Sequence, residues 1–339
     1  MVEHYFPDND NRICDLAVAI TCAPRARKSQ LIRGLIDGLS LETLSEHLTG
    51  SERRAGQKAV EEIQATGFEI IPYPSNRFPA ALRATSFPPA ALFVRARHRP
   101  FTFPEKMVSI VGTRSASVEI CNRASRLGAH LAHAQVCVVS GLALGIDGAA
   151  HRGAVSTQVA CPTIAVVAHG LERIYPPSHT TLADTIVERG GAIVSEYVPG
   201  TEPLKHHFLE RNRIVAGLSL GVVVIQAGER SGSLVTARFA AEYGRDVFVL
   251  EGEEGDAAYS GGAQLIEEGA IPIAGAREVL QEYGVPWNTS DGQGEGRWRT
   301  LTLDEYLRMT GYSTSQILRL EMEGRVVRLP GNRVSVTWE

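Results

Sequence analysis

The chain has 339 residues, 44% of them hydrophobic and 21% charged, with a formal net charge of −4. That length allows two or three domains with a sizeable core, while the negative balance excludes a surface coated in positive charge for nonspecific DNA binding. No run of roughly 18 apolar residues marks a membrane span, no basic start with an apolar run marks a secretion signal, and Cys14, Cys22, Cys121, Cys137 and Cys161 form no CxxC, so reduced thiols in a cytoplasmic protein are expected rather than a disulfide framework or a zinc site.

Residues 1–66 read as mostly helical. Leu31, Leu35, Ile36, Leu39, Leu41, Leu44 and Leu48 recur at near-helical spacing. Gly34, Gly38 and Gly50 are expected to divide the segment into short helices, and Val60–Thr66 to be one more, closed by Gly67. Phe68–Pro72 is a short strand. Prolines at 72, 74, 79, 88, 89, 100 and 104 then predict an extended, wrapping connector.

From Met107 apolar runs alternate with helical segments. The runs are Met107–Val111, Val136–Val139, Thr163–Val167, Ala192–Ser195, Val222–Ile225 and Val247–Leu250. Helices are expected over Val118–Ala134, through Ala154, over Thr180–Arg189, over Leu234–Tyr243 and over Gln264–Glu268. Continuous apolar strands between helices imply a parallel sheet covered on both faces. Right-handed crossovers then give an α/β, doubly wound, Rossmann-like domain. Residues 286–300 read as a polar, glycine-rich linker. In 301–339, helices at Leu303–Met309 and Ser313–Glu323 and a hairpin turning at Pro330–Asn332 make a reduced winged-helix-like domain.

Ligands of open α/β sheets bind beyond the carboxyl ends of the strands, and there the polar loops fall. Gly112–Ser115, carrying Arg114, follows the first of these strands. Ser140 and Gly141 open the loop after the second. Ser231, Gly232 and Ser233 follow the fifth and start a helix. Glycines admit backbone N–H groups close to an anion, and helix N-termini favour negative charge. Beside these loops, KHHFLERNRI at Lys205–Ile214 crowds Lys205, His206, His207, Arg211 and Arg213 around Phe208. Cations for phosphate and a ring for a flat base suit a nucleic-acid strand.

Other chemistries fare worse. There is no GxGxxG and no Walker A lysine. Ser140, Asp147 and His151 invite a triad reading, but Asp147 and His151 stand one helical turn apart and no GxSxG elbow exists. His206–His207 has no acidic partner nearby, so no metal site is expected.

The motifs IVGTRSAS (110–117), VSGLALGIDGAAHRGA (139–154), TIAVVAHGLERIYPPSH (163–179), KHHFLERNRIVAGLS (205–219) and SGSLVTARFAAEYGRDVFVLEG (231–252) together resemble the DNA processing protein A family (DprA, or Smf). YPSNRFPAAL (73–82) and GAIVSEYVPG (191–200) add to the match, which runs in order over about residues 60–275. The resemblance implies a helical, SAM-like N-terminal domain (1–72), an extended Rossmann domain (73–285), the linker (286–300) and the winged-helix-like end (301–339). It implies a homodimer without cofactor or catalysis. Such a protein binds single-stranded DNA, loads the RecA recombinase past single-strand-binding protein and serves natural transformation. Arg114 and the Ser140–Gly141 turn would hold phosphates, Lys205, Arg211 and Arg213 the backbone, and Phe208 a base. Asn212 would fix the loop or touch DNA, and Ser231, Gly232 and Ser233 would floor the pocket. Gln226, Glu251–Glu254 and His169 depart from the usual family residues.

A runner-up is an enzyme resembling the nucleoside-monophosphate phosphoribohydrolases of the lysine-decarboxylase-like group, with Arg238 and Glu242 as its pair; the Gly-Gly-x-Gly-Thr turn of those enzymes is missing. A third reading is an interaction scaffold with a dimer patch at Leu265, Ile266, Ile271 and Ile273.

Overall fold

The computed structural model describes residues 11–252, 257–287, 299–313, 316–317, 320–321, 326–329 and 333–336. Its first helices are α1 (Asn11–Cys22), α2 (Arg25–Ile36), α3 (Leu41–Ser45) and α4 (Gly50–Thr66). The leucine spacing builds their core, where Leu31, Leu35, Leu41, Leu44 and Leu48 meet Ile13, Ile20 and Ile32. Gly34 does not break a helix as expected; it lies buried inside α2, close against Leu44. The predicted Val60–Thr66 helix is the end of α4. Thr49 and Glu52 cap that helix reciprocally, and Gly67 ends it at φ 73°.

The proline-dense stretch is not a mere connector. It holds β1 (Glu69–Pro72), α5 (Ala80–Arg83) and β2 (Ala91–Ala96). Its prolines flank β2 rather than interrupt it, so the strand keeps its ladder and buries ALFV. The main sheet thus begins at Glu69, inside the segment assigned to the helical domain.

The alternation that follows is β3 (Met107–Val111), α6 (Val118–His133), β4 (Cys137–Ser140), α7 (Ile146–Val155), β5 (Thr163–Val166), α8 (Thr180–Glu188), β6 (Ala192–Ser195), α9 (Lys205–Leu218), β7 (Gly221–Val224), α10 (Ser233–Glu242), β8 (Asp246–Leu250), α11 (Ser260–Glu267), β9 (Ile271–Ile273) and α12 (Ala276–Glu282). Sequence reasoning missed β9 and α12. The sheet order is β1-β2-β6-β5-β4-β3-β7-β8-β9. Strands β3 to β9 pair in parallel, while β2 joins β6 and β1 joins β2 antiparallel.

Alternate strand residues feed opposite layers. Val108, Ile110, Val138 and Val223 meet α6, α7 and α12. Val139, Val222 and Val224 meet Ile214, Val215 and Leu218 of α9 and Leu234 and Ala237 of α10. Ala17, Val18, Ala59 and Val60 of α1 and α4 lie on Ala91, Phe93 and Ile193, so the N-terminal helices roof the antiparallel end of the same sheet.

The C-terminal part has β10 (Arg299–Thr302), α13 (Leu303–Thr310), β11 (Val326–Leu329) and β12 (Arg333–Val336). The hairpin is antiparallel, and β10 adds a third strand that the sequence presented as linker. Tyr306, Ile317, Val326 and Val334 form its core. Most of the expected linker, the expected turn at Pro330–Asn332 and much of the Ser313–Glu323 segment lie outside the described residues.

Candidate nucleic-acid interface

The connection from β3 leads to β4 on one side, whereas α9 returns the chain to β7 on the other. The two halves part between β3 and β7, and a crevice opens beyond their carboxyl ends. Arg114 stands there. The Thr113 N–H donates to the Gln226 carbonyl at 2.9 Å, and the Ile146 N–H donates to the Thr113 carbonyl at 3.2 Å. Gly145, at φ 73°, lets the next loop close in, since a Cβ there would lie 2.4 Å from the Thr113 oxygen. Three strand-exit loops thereby fix the backbone beside Arg114. Its exposed guanidinium lies 5.1 Å over the Phe208 ring.

The start of α9 forms the adjoining wall. It has no side-chain cap and no acidic residue in its first turn, which carries Lys205 and His206. Cations at that end oppose the helix dipole and raise the local positive potential. Among the described residues, neither Arg114 nor Lys205 has a carboxylate partner. Phe208 and Asn212 share the helix face of Lys205. Asn212 donates from Nδ2 to the Gly232 carbonyl at 3.2 Å, joining α9 to the loop before α10. In that loop the Ser231 and Ser233 hydroxyls meet at 2.7 Å, and a Cβ on exposed Gly232 would touch nothing. The structure therefore brings Arg114, Lys205, Phe208, Asn212, Ser231 and Gly232 to one edge, whereas Ser233 is buried beneath them at the start of α10.

Four other expected contacts have structural duties instead. Ser140 is buried and donates to the Ile110 carbonyl at 2.6 Å. The Gly141 N–H donates to Asp147 Oδ2 at 3.0 Å. Arg211 is buried beneath the loops and donates to the Gly141 carbonyl at 2.8 Å and to the Val166 carbonyl. Arg213 is buried in an ion pair with Glu196 and donates to the Phe87 carbonyl at 2.7 Å. Two residues apart on α9, Arg211 and Arg213 lie on opposite flanks of the helix, and both flanks are packed, one beneath the strand-exit loops and the other against Glu196, while Asn212 between them stays on the outer side with Lys205. Burial lowers the Arg211 pKa to about 10 against the opposing charge of Asp147, and burial raises that of Asp147 against Arg211.

The triad reading also dissolves. His151 meets the Thr163 hydroxyl at 2.7 Å, and burial drives its pKa down to about 3. His207 lies against Tyr197, ring centroids 4.4 Å apart, and no group of three or more metal-ligating side chains occurs among the described residues. Arg238 and Glu242 are exposed on α10, where Glu242 accepts the Ser86 hydroxyl at 2.7 Å.

Sequence reasoning missed the apolar rim. Leu144, Tyr175, Leu204 and Leu209 are all large, apolar and exposed around these loops. Tyr175 lies 5.7 Å from Phe208, ring to ring. Its position just after the β5 exit was the one available signal.

The family model for DNA recombination-mediator protein A matches residues 69–284. Protein Smf of Escherichia coli is 40% identical over 254 residues, covering 74% of this chain and 66% of its own length. The DNA processing protein DprA of Bacillus subtilis is 38% identical over 64% of this chain and 71% of its own. This chain thus spans about two thirds of the length of those relatives. Among solved structures, the Streptococcus pneumoniae DNA processing protein A aligns with a TM-score of 0.65 at 29% identity, covering 84% of this chain and 100% of that one. A Helicobacter pylori DNA processing protein A, described for its single-stranded DNA binding mode, aligns with a TM-score of 0.56 at 29% identity over 64% of this chain and 95% of its own. With its nine-stranded sheet, its N-terminal helical roof and a match that runs from β1 through α12, the chain belongs to the DNA recombination-mediator protein A family.

Proposed function

We propose that this protein binds single-stranded DNA in the crevice beyond β3 and β7 and hands it to the RecA recombinase during natural transformation. The observation that carries the first half is the pair of unpaired cations, Arg114 and Lys205, set beside an aromatic surface on rigid elements. Phosphates would lie on Arg114, on Lys205 with the N–H groups that open α9, and on Ser231 and Gly232 of the turn before α10. The exposed rim would take base faces, which single strands present and duplexes hide. Arg211 and Arg213 would act from beneath, by holding the loops and α9 in place.

RecA delivery, passage past single-strand-binding protein and a non-catalytic role follow from the family resemblance. The same holds for a homodimer, for which Ile266 and Ile271 are exposed at the β9 end of the sheet while Leu265 and Ile273 belong to the core. No helix among the described residues is long and apolar enough to cross a membrane.

The decisive experiment is a salt titration of single- and double-stranded DNA binding by the intact chain. Preference for single strands, with log K falling by about 0.7 per phosphate per log unit of salt, is expected. Equal affinity for both forms would overturn the reading. RecA filament growth on strands coated with single-strand-binding protein tests the second half. Release of adenine from AMP would favour the hydrolase instead.

A further inference from the structure

We infer that Tyr175 is the principal base-stacking residue of this site, and that His169 is the positioning residue that holds it. The inference rests on the single-strand reading and goes beyond it by naming the base-contacting surface.

Phe208 is partly buried, and the Arg114 guanidinium already lies over its ring at 5.1 Å. A base approaching that face must first displace the cation. Tyr175 is different. The residue is 44% exposed, and its ring sits 5.7 Å from that of Phe208, inclined by 56°. Its hydroxyl has no hydrogen-bond partner among the described residues. Phe208 therefore serves Arg114 and props Tyr175, while Tyr175 presents the open ring and a free polar tip. The two rings form a stepped platform beside the phosphate-holding cations, and its ligand is a strand of unpaired nucleobases.

A stacking surface must be held still. Tyr175 lies in the loop after β5, on a different segment from α9. Its backbone N–H donates to Nε2 of His169 at 3.3 Å. His169 is fully buried, and its Nδ1 meets the Gly170 carbonyl at 2.8 Å. That pairing fixes the neutral tautomer: Nδ1–H donates and Nε2 accepts. The His169 carbonyl in turn accepts the Ser195 hydroxyl at 2.7 Å, at the end of β6. The sheet edge is thus linked through one imidazole to the exposed ring. Leu144, in the loop after β4, and Leu209, next to Phe208 in α9, are exposed as well.

The test compares two strands of equal length, oligo-dT and an abasic sugar-phosphate strand, in fluorescence titrations of the full chain. Tyr175→Ala is expected to weaken oligo-dT binding about tenfold while leaving the salt slope and abasic affinity unchanged. Tyr175→Phe should keep the ring's contribution. His169→Gln, which retains a donor and an acceptor, should stay near wild type on oligo-dT, whereas His169→Leu should follow Tyr175→Ala. If Tyr175→Ala binds oligo-dT as wild type does, or loses the abasic strand equally, the inference fails and the single-strand reading stands. If the wild-type chain binds neither strand, both fall together.

Discussion

Arg213 of α9 and Glu196, just past β6, form an ion pair buried from solvent on both sides. The same guanidinium lies 5.0 Å over the Phe87 ring and donates to the Phe87 carbonyl. One side chain therefore ties the helix of the proposed site to the sheet edge and to the segment before β2. Removing either partner leaves a buried charge uncompensated. We expect Glu196→Ala or Arg213→Ala to cost about 3–5 kcal/mol of folding stability, read from urea denaturation. Single-strand affinity of the remaining folded protein should change far less than for an exposed cation.

Arg114 is the opposite case. It is exposed, unpaired with any described carboxylate and held by its backbone. Arg114→Ala should leave the denaturation midpoint within about 0.5 kcal/mol of wild type. It should also weaken single-strand binding and reduce the salt slope by about one phosphate contact. A slope unchanged within error would place the phosphate elsewhere.

Gly141 distinguishes two explanations for a small residue in a strand-exit turn. A Cβ at that position would lie 2.4 Å from both terminal nitrogens of Arg211. The glycine makes room for an internal guanidinium, not for an incoming phosphate. Gly141→Ala should therefore destabilise the fold by about 1–3 kcal/mol through forced repacking. Pairing it with Arg211→Met, which vacates that space, should give a deficit smaller than the sum of the two single ones. Thermal melts of the three variants would check this.

Acid should loosen the packing around β5 through its buried histidines. Burial is the leading cause of a lowered pKa at His151, His169 and His179, and His151 is held down to about 3. As pH falls through about 6.5, the unfolded chain takes up protons that the folded chain refuses. Stability is therefore whole above that pH and declines below it, for His151 by about 1.4 kcal/mol per pH unit; His169 and His179 add to the decline in the same direction. For His151 the decline continues toward pH 3. His151→Asn, which keeps a donor for Thr163, should flatten the stability profile between pH 6.5 and 5. An unaltered slope would remove His151 from the account.

The α/β alternation from Met107 to Leu250 was legible because strands buried on both faces must be continuously apolar. The helix cap at Gly67 was legible for a local reason, a left-handed backbone that glycine adopts without strain. Strand β2 was not, because its pairing with β6 joins residues about a hundred positions apart, while the nearby prolines are a local signal of the opposite sense.

The site divides along the same line. Composition and motif order by themselves determined which loops stand at the strand exits, and that cations and a ring gather there. Only the tertiary structure decided which of those cations face outward. Along α9 a rotation of about 100° per residue separates exposed Lys205 from buried Arg211 and Arg213, and charge alone cannot tell them apart. It also decided that Tyr175, thirty-three residues before Phe208 in the chain, shares its surface, because the β5 exit and the start of α9 meet only when β5 and β6 pair. Local preference acts within a few residues, whereas the placement of side chains from separate loops follows from sheet order and burial.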